Sequence, residues 1–187
     1  ELVDVARLRL PEVDVRVGSM FDLPWDDESF DVVISINGIW GGNQPALDEA
    51  YRVLKPGGGV GISFWGTGPP LDFRPTYKVV ARHSPEAHVG GMRDMNNIAF
   101  EGVAEKMLSD AGFVDLERGQ RIAVMEWPDA DIAWRAISSL GPLVPALEHS
   151  DPDVLKREVL EAIEPCRDRR GIYRFQNDHQ FVTGRKP

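Results

Sequence analysis

Cysteine is nearly absent. Cys166 is the only one in 187 residues, which excludes an intrachain disulfide and any cage of cysteine ligands around a metal. Such sparing use fits a reducing compartment, so a cytoplasmic location is expected. Positive charge is also short: 21 Lys and Arg stand against 30 Asp and Glu, a net charge of -9. A basic surface for nucleic acid is therefore disfavoured. No apolar run approaches the ~20 residues of a membrane span, and no hydrophobic stretch follows a basic start as in a secretory signal. Repeats and low-complexity tracts are missing. Histidine is scarce as well. His83 and His88 are not at the i, i+4 spacing of a helical metal pair and have Pro85 between them, so surface histidine is the simpler reading. The acids Asp26, Asp27 and Glu28 read as a solvated turn, and no metal is expected.

What is present points to one domain over residues 1–187, long enough to bury a core. The most informative stretch runs from Gly18 to Gly59. Phe30, Val32, Val33, Ile34 and Ile36 form a short β-branched run bounded by acids before and Asn37-Gly38 after, the pattern of a strand covered on both faces in a parallel sheet. From Gln44 to Leu54, the residues Leu47, Ala50, Tyr51 and Leu54 fall at i, i+3, i+4 and i+7 and give a helix one apolar face. Lys55-Pro56-Gly57-Gly58 stops it: lysine suits the dipole, proline cannot continue, and glycine supplies a positive φ. Val60 to Trp65 is the returning strand.

The flanking segments follow the same rules. Glu1 to Leu10 reads as a helix with Leu2, Val3, Ala6 and Leu10 toward a core, and Val13 to Val17 alternates as a short strand. Gly66 to Pro75 is irregular, Thr76 to Arg82 is a short helix, and the stretch with Gly90-Gly91 is a polar loop. Phe100 to Ala111 is an amphipathic helix. Phe113 to Leu116 and Arg121 to Trp127 are strand segments parted by Gly119. Asp129 and Asp131 open a helix to Leu140, with a further turn over Gly141 to Glu148. Asp151-Pro152 caps another helix that ends at Glu164-Pro165. Gly171 to Arg185 is a last strand, with a bulge or bend at Asn177-Asp178. Tyr173 and His179 are available as donors or bases, although packing in a sheet is the commoner role.

The pair LPWDDESFDVV (residues 23–33) and RVLKPGG (residues 52–58) resembles the class I S-adenosylmethionine-dependent methyltransferases of the small-molecule type, similar to the quinone-biosynthesis C-methyltransferases. The resemblance implies an α/β, Rossmann-like, mainly parallel sheet with an antiparallel last strand. It also implies that the N-terminal βαβ unit with its glycine-rich loop is missing from the sequence, and that residues 128–170 form a helical cap. The implied cofactor is S-adenosylmethionine, held by Ser19, Met20 and Phe21 on the adenine side and by Ile36 and Asn37 on the methionine side. Trp40, Asn43 and Trp65 would line the pocket of a small, partly apolar or aromatic acceptor. The cofactor carries the reactivity in an in-line displacement, so no catalytic residue is assigned. Two other classes stay open: a methyltransferase-like binding or dimerisation module without chemistry, and an NAD-dependent Rossmann enzyme, which the paired motif disfavours. A homodimer is left open.

Overall fold

The computed structural model describes residues 2–187, and of Met92 the backbone alone. In chain order its elements are α1 (Leu2–Arg9), β1 (Phe30–Ile36), α2 (Gln44–Val53), β2 (Leu54–Trp65), α3 (Arg74–His83), α4 (Glu86–Met95), α5 (Val103–Asp110), β3 (Val114–Trp127), α6 (Ala130–Ser138), α7 (Val144–His149), α8 (Pro152–Ile163) and β4 (Tyr173–Arg185). Short 3₁₀ turns at Asn96–Ala99, Gly141–Leu143 and Glu164–Cys166 join them. The strands form one sheet in the order β1-β2-β4-β3. β1 and β2 are parallel, whereas β4 is antiparallel to both β2 and β3. Three strands thus run one way and the last strand alone runs the other, as the resemblance implies.

The helix between β1 and β2 makes their parallel pairing possible, because a parallel connection needs a crossover. Pro45 sits in its first turn, where a missing N–H costs nothing, and Leu47, Ala50 and Val53 are buried against the sheet. At the far end Gly57 adopts φ +80° and donates its N–H to Lys186 O at 2.9 Å. α2 and α5 cover one face of the sheet. Leu47 and Leu108 pack there with Val60, Ile62 and Phe64 of β2 and Val182 of β4. A second core lies along the half of the β3–β4 pair that outruns β2. Phe73, Val80, Ile137, Leu155 and Val159 close around Tyr173 and Phe175, and Trp127 stands 4.8 Å from the Phe175 ring.

Five expectations are corrected. Val13 to Val17 is not in the sheet, because no strand pairs with it among the described residues; instead Arg7 Nε donates to Val15 O at 3.0 Å. The first helix exists, but α1 has no buried residue, and Glu1 lies outside the described residues. β1 is covered on one face only, since Val32, Ile34 and Ile36 are exposed while Val33 packs against the core. The region with Gly90 and Gly91 is helical. Pro85 opens it by accepting from the His88 and Val89 N–H groups, and glycine costs a helix only about 1 kcal/mol per residue.

Fifth, β3 and β4 are unbroken where interruptions were expected. Gly119 continues β3 because the ring of Phe181 lies on it: a Cβ would come 2.2 Å from that ring, so glycine here makes room rather than a turn. Asn177 and Asp178 continue β4 in register opposite Ala123 and Ile122. On the other side of β4 the chain after β2 takes over its hydrogen bonds. Gly66 N donates to Asp178 O at 2.9 Å, and Asp178 N donates to Pro70 O at 2.8 Å.

Candidate functional site

The two halves of the sequence motif touch. Arg52 of the second half reaches the first and donates to the carbonyls of Leu23 and Trp25, to Asp27, and to both carboxylate oxygens of Glu49. Glu49, one helical turn before Arg52, accepts in turn from Leu23 N at 2.8 Å. The arginine beside it and that backbone N–H hold the Glu49 carboxyl down at about 2. Trp25 and Phe30 close the loop from within, edge to face at 5.4 Å. The segment Leu23–Asp27 is thereby clasped onto α2, which places the turn just before it.

In that turn Ser19 is exposed and its Oγ accepts from Phe21 N at 3.2 Å. Met20 packs against the core under α2, and the Phe21 ring is half exposed. Ile36 ends β1 exposed. Asn37 follows with φ +52°, a left-handed conformation that asparagine tolerates. Its N–H donates to Ser63 O at 2.9 Å, which extends the β1–β2 ladder by one step.

The loop after Asn37 is pressed onto α4 and the turn behind it. Gly41 N donates to Met95 O at 2.9 Å, and a Cβ on Gly41 would come 1.9 Å from Asn97 Oδ1. Ile39 is buried and Trp40 packs against the same core. Asn43 precedes α2, where its carbonyl accepts from Ala46 N and its side chain makes no cap. Trp40 and Asn43 thus lie along the α2 side of the sheet, whereas Trp65 takes the other face of β2.

Three strands meet through the side chains of Trp65, Asn37 and His179. The Trp65 and His179 rings stand edge to face at 5.2 Å, and His179 Nε2 lies 3.2 Å from Asn37 Oδ1. Burial pushes the His179 imidazole below its ordinary range, although the neighbouring Asp178 opposes it. Asp178 is itself buried, taking Gly68 N at 3.2 Å and Gln180 Nε2 at 2.8 Å on Oδ2 and leaving Oδ1 unpartnered. Ser63, which pairs with Ile36 across the β1–β2 ladder, has its Oγ buried without a partner as well. Sequence spacing missed the Glu49–Arg52 clasp and the meeting of Asn37 with His179, which lie 142 positions apart in the chain. The signal for the clasp was present in the arginine of RVLKPGG; nothing local announced the contact with His179.

Other polar side chains that drew notice are structural. His83 Nδ1 meets Ser150 Oγ at 2.9 Å and its Nε2 meets Glu158 at 3.1 Å, tying α3 to α8. Tyr173 donates its hydroxyl to Glu164 at 3.1 Å. Among the described residues no helix is long and apolar enough to cross a membrane, and no three metal-ligating side chains gather.

This arrangement can be set beside known proteins. Residues 1–62 match the family model described as a methyltransferase domain. An uncharacterised methyltransferase-like protein of Schizosaccharomyces pombe is 44% identical over 68 residues, 36% of this chain and 26% of that protein. A demethylmenaquinone methyltransferase of Renibacterium salmoninarum is 26% identical over 147 residues, 73% of this chain and 54% of that protein. The chain therefore spans from about a quarter to about half the length of these relatives. Among solved structures, the YcgJ protein of Bacillus subtilis superposes with a TM-score of 0.57 at 17% identity, covering 98% of this chain and 77% of that one. A provisionally assigned methyltransferase of Bacillus halodurans gives 0.54 at 18% identity, covering 99% and 78%. Likenesses at such identity speak to the fold, and the local match speaks to the motif. Residues 1–62 thus match the methyltransferase domain model, and the chain as a whole shares a Rossmann-like fold with these two Bacillus structures.

Proposed function

We propose that the chain belongs to an S-adenosylmethionine-dependent methyltransferase acting on a small, partly apolar or aromatic acceptor. The observation that carries this reading is the convergence of Asn37 and Trp65 on His179 at the carboxyl ends of two parallel strands, the edge at which open α/β sheets bind ligands. When bound, the cofactor supplies an activated methyl group on a sulfonium. The residues present fit one side of it. Phe21 and Ile36 offer exposed apolar surface, and the unpartnered Ser63 hydroxyl lies beside the end of β1. Ser19, Met20 and Phe21 would take the adenine side, and Ile36 and Asn37 the methionine side.

Trp65 would line the acceptor pocket, with Trp40 and Asn43 contributing from the α2 side. The helices α6, α7 and α8 within residues 128–170 would act as a cap that excludes water. A net charge of -9 supports a small acceptor over a nucleic acid. The demethylmenaquinone relatives support one that is partly apolar and aromatic. Calorimetric titration of the complete protein with S-adenosylmethionine and with its demethylated product is expected to give saturable binding of both. Silence toward both, with heat on adding NAD, would transfer the chain to the dinucleotide enzymes.

A further inference from the structure

We propose that His179 is the proton acceptor of this site: its Nδ1 takes a proton from an O–H or N–H group of the methyl acceptor, with Asn37 as the positioning residue that fixes the ring. This rests on the methyl-transfer reading above. Asn37 Oδ1 lies 3.2 Å from Nε2. An amide oxygen can only accept, so with Oδ1 facing the ring Nε2 would carry the ring proton and the lone pair of the neutral imidazole would be on Nδ1. Among the described residues no hydrogen bond occupies that nitrogen. The plane of the ring is held from a second side by the edge-to-face contact with Trp65. Asn37 is held in turn by its N–H to Ser63 O at 2.9 Å. The imidazole is thus fixed by groups at the ends of β1 and β2, and Nδ1 is the ring nitrogen left free for the acceptor.

The charges around the ring permit this role. Asp178 is its neighbour on β4. Arg121 stands opposite on β3, with its guanidinium turned back to donate to Gln120 O at 2.8 Å. Trp65 and Asn37, from the other side, are uncharged. Burial outweighs Asp178 and holds the imidazole below its ordinary range, so the ring is neutral and keeps a free lone pair at neutral pH. In the step itself an O–H or N–H bond of the acceptor breaks, its electron pair stays on the acceptor atom, and an N–H bond forms at Nδ1. The imidazolium then returns the proton to water. Such a site suits a phenol or hydroquinone, and is superfluous for a thioether or tertiary amine, which has no proton to give.

The test reads the ring directly, without turnover. Long-range ¹H–¹⁵N spectra of the full chain labelled at histidine, with His179→Gln for assignment, are expected to show the Nε2–H tautomer and a midpoint below that of an ordinary histidine. Asn37→Asp places a carboxylate on Nε2, is compatible with a positive φ, and is expected to raise that midpoint by about one pH unit or more. Adding 4-nitrophenol below its own midpoint is expected to move the ¹⁵Nδ1 resonance from the unprotonated position toward the hydrogen-bonded one, because the phenol O–H donates to that nitrogen. An Nδ1–H tautomer, or an Nδ1 resonance that 4-nitrophenol leaves unmoved, overturns the proposal. Binding of S-adenosylmethionine together with either of those results removes the proton site alone. The Nε2–H tautomer and the Nδ1 shift without any cofactor binding instead remove the methyl-transfer reading.

Discussion

Glu49 is the residue on which the loop before β1 depends. Its carboxylate takes two N–H groups of Arg52 and the Leu23 N–H, and its side chain is 17% exposed. Charge-assisted bonds of this kind are worth more than a solvated surface pair because less water competes for them. The carboxyl titrates near 2 in the fold and near 4.3 in an unfolded chain, so the fold binds fewer protons in between. Its contribution is fully present above the unfolded value and fades as pH falls toward the folded one. Glu49→Gln is expected to cost about 1–2 kcal/mol at pH 7 and to differ little from wild type at the acid end. Urea melts at pH 7, 4.5 and 3 would show the gap closing; an equal gap at all three would mean that the carboxylate charge is irrelevant. Lys186 performs a comparable service at the other end of α2, donating to Tyr51 O and Leu54 O where a cation suits the helix dipole. Lys55, which looked suited to that task, pairs with Asp31 on the surface instead.

At the scale of elements, the starts of helices are set by a few residues and can be tested one at a time. Asp151 Oδ1 accepts from Asp153 N at 2.8 Å and Val154 N at 3.3 Å, and Pro152 fills the first position of α8. That helix buries Leu155, Val159 and Ile163 in the second core. Asp151→Ala is expected to cost about 1 kcal/mol, seen as a lower melting temperature, whereas the exposed Asp153→Ala should be near neutral. Equal effects would assign the loss to general acidity near the helix start rather than to the cap. This cap was legible in the sequence, as was the Asp129 cap of α6, because capping chemistry is local. The crossover from β1 through α2 to β2 was legible for the same reason, its period and stop residues lying within one stretch. What escaped depended on distant partners. Whether Val13 to Val17 becomes a strand is decided by a neighbouring strand, and whether Gly119 breaks β3 is decided by Phe181. At the candidate site, Asn37 and Trp65 could be placed by strand ends, but the histidine that meets both comes from β4, and only the sheet order brings it there.

For the whole molecule the two faces of the sheet differ, and so should its behaviour in solution. One face is closed by α2 and α5, while on the other Val32, Ile34 and Ile36 are 58%, 69% and 73% exposed. β1 is also an edge strand, so its outer backbone groups meet no ladder partner among the described residues. Apolar side chains beside an open edge make a template for pairing with another chain, and natural sheets usually blunt it with charge. Leu2, Leu8 and Val17 add further exposed apolar surface in the preceding segment. The 187-residue chain alone is therefore expected to bind an apolar dye and to self-associate at micromolar concentration, edge to edge through β1. Ile34→Lys places a charge in the middle of that row, where the wild-type side chain buries little. It should lower light scattering and dye binding while leaving the melting temperature nearly unchanged. Val33 points the other way, into the core with α2, and Val33→Lys should unfold the chain by burying an unpaired charge. Undiminished scattering by a folded Ile34→Lys chain would show that association, if present, runs through another surface and that the open face is not its cause.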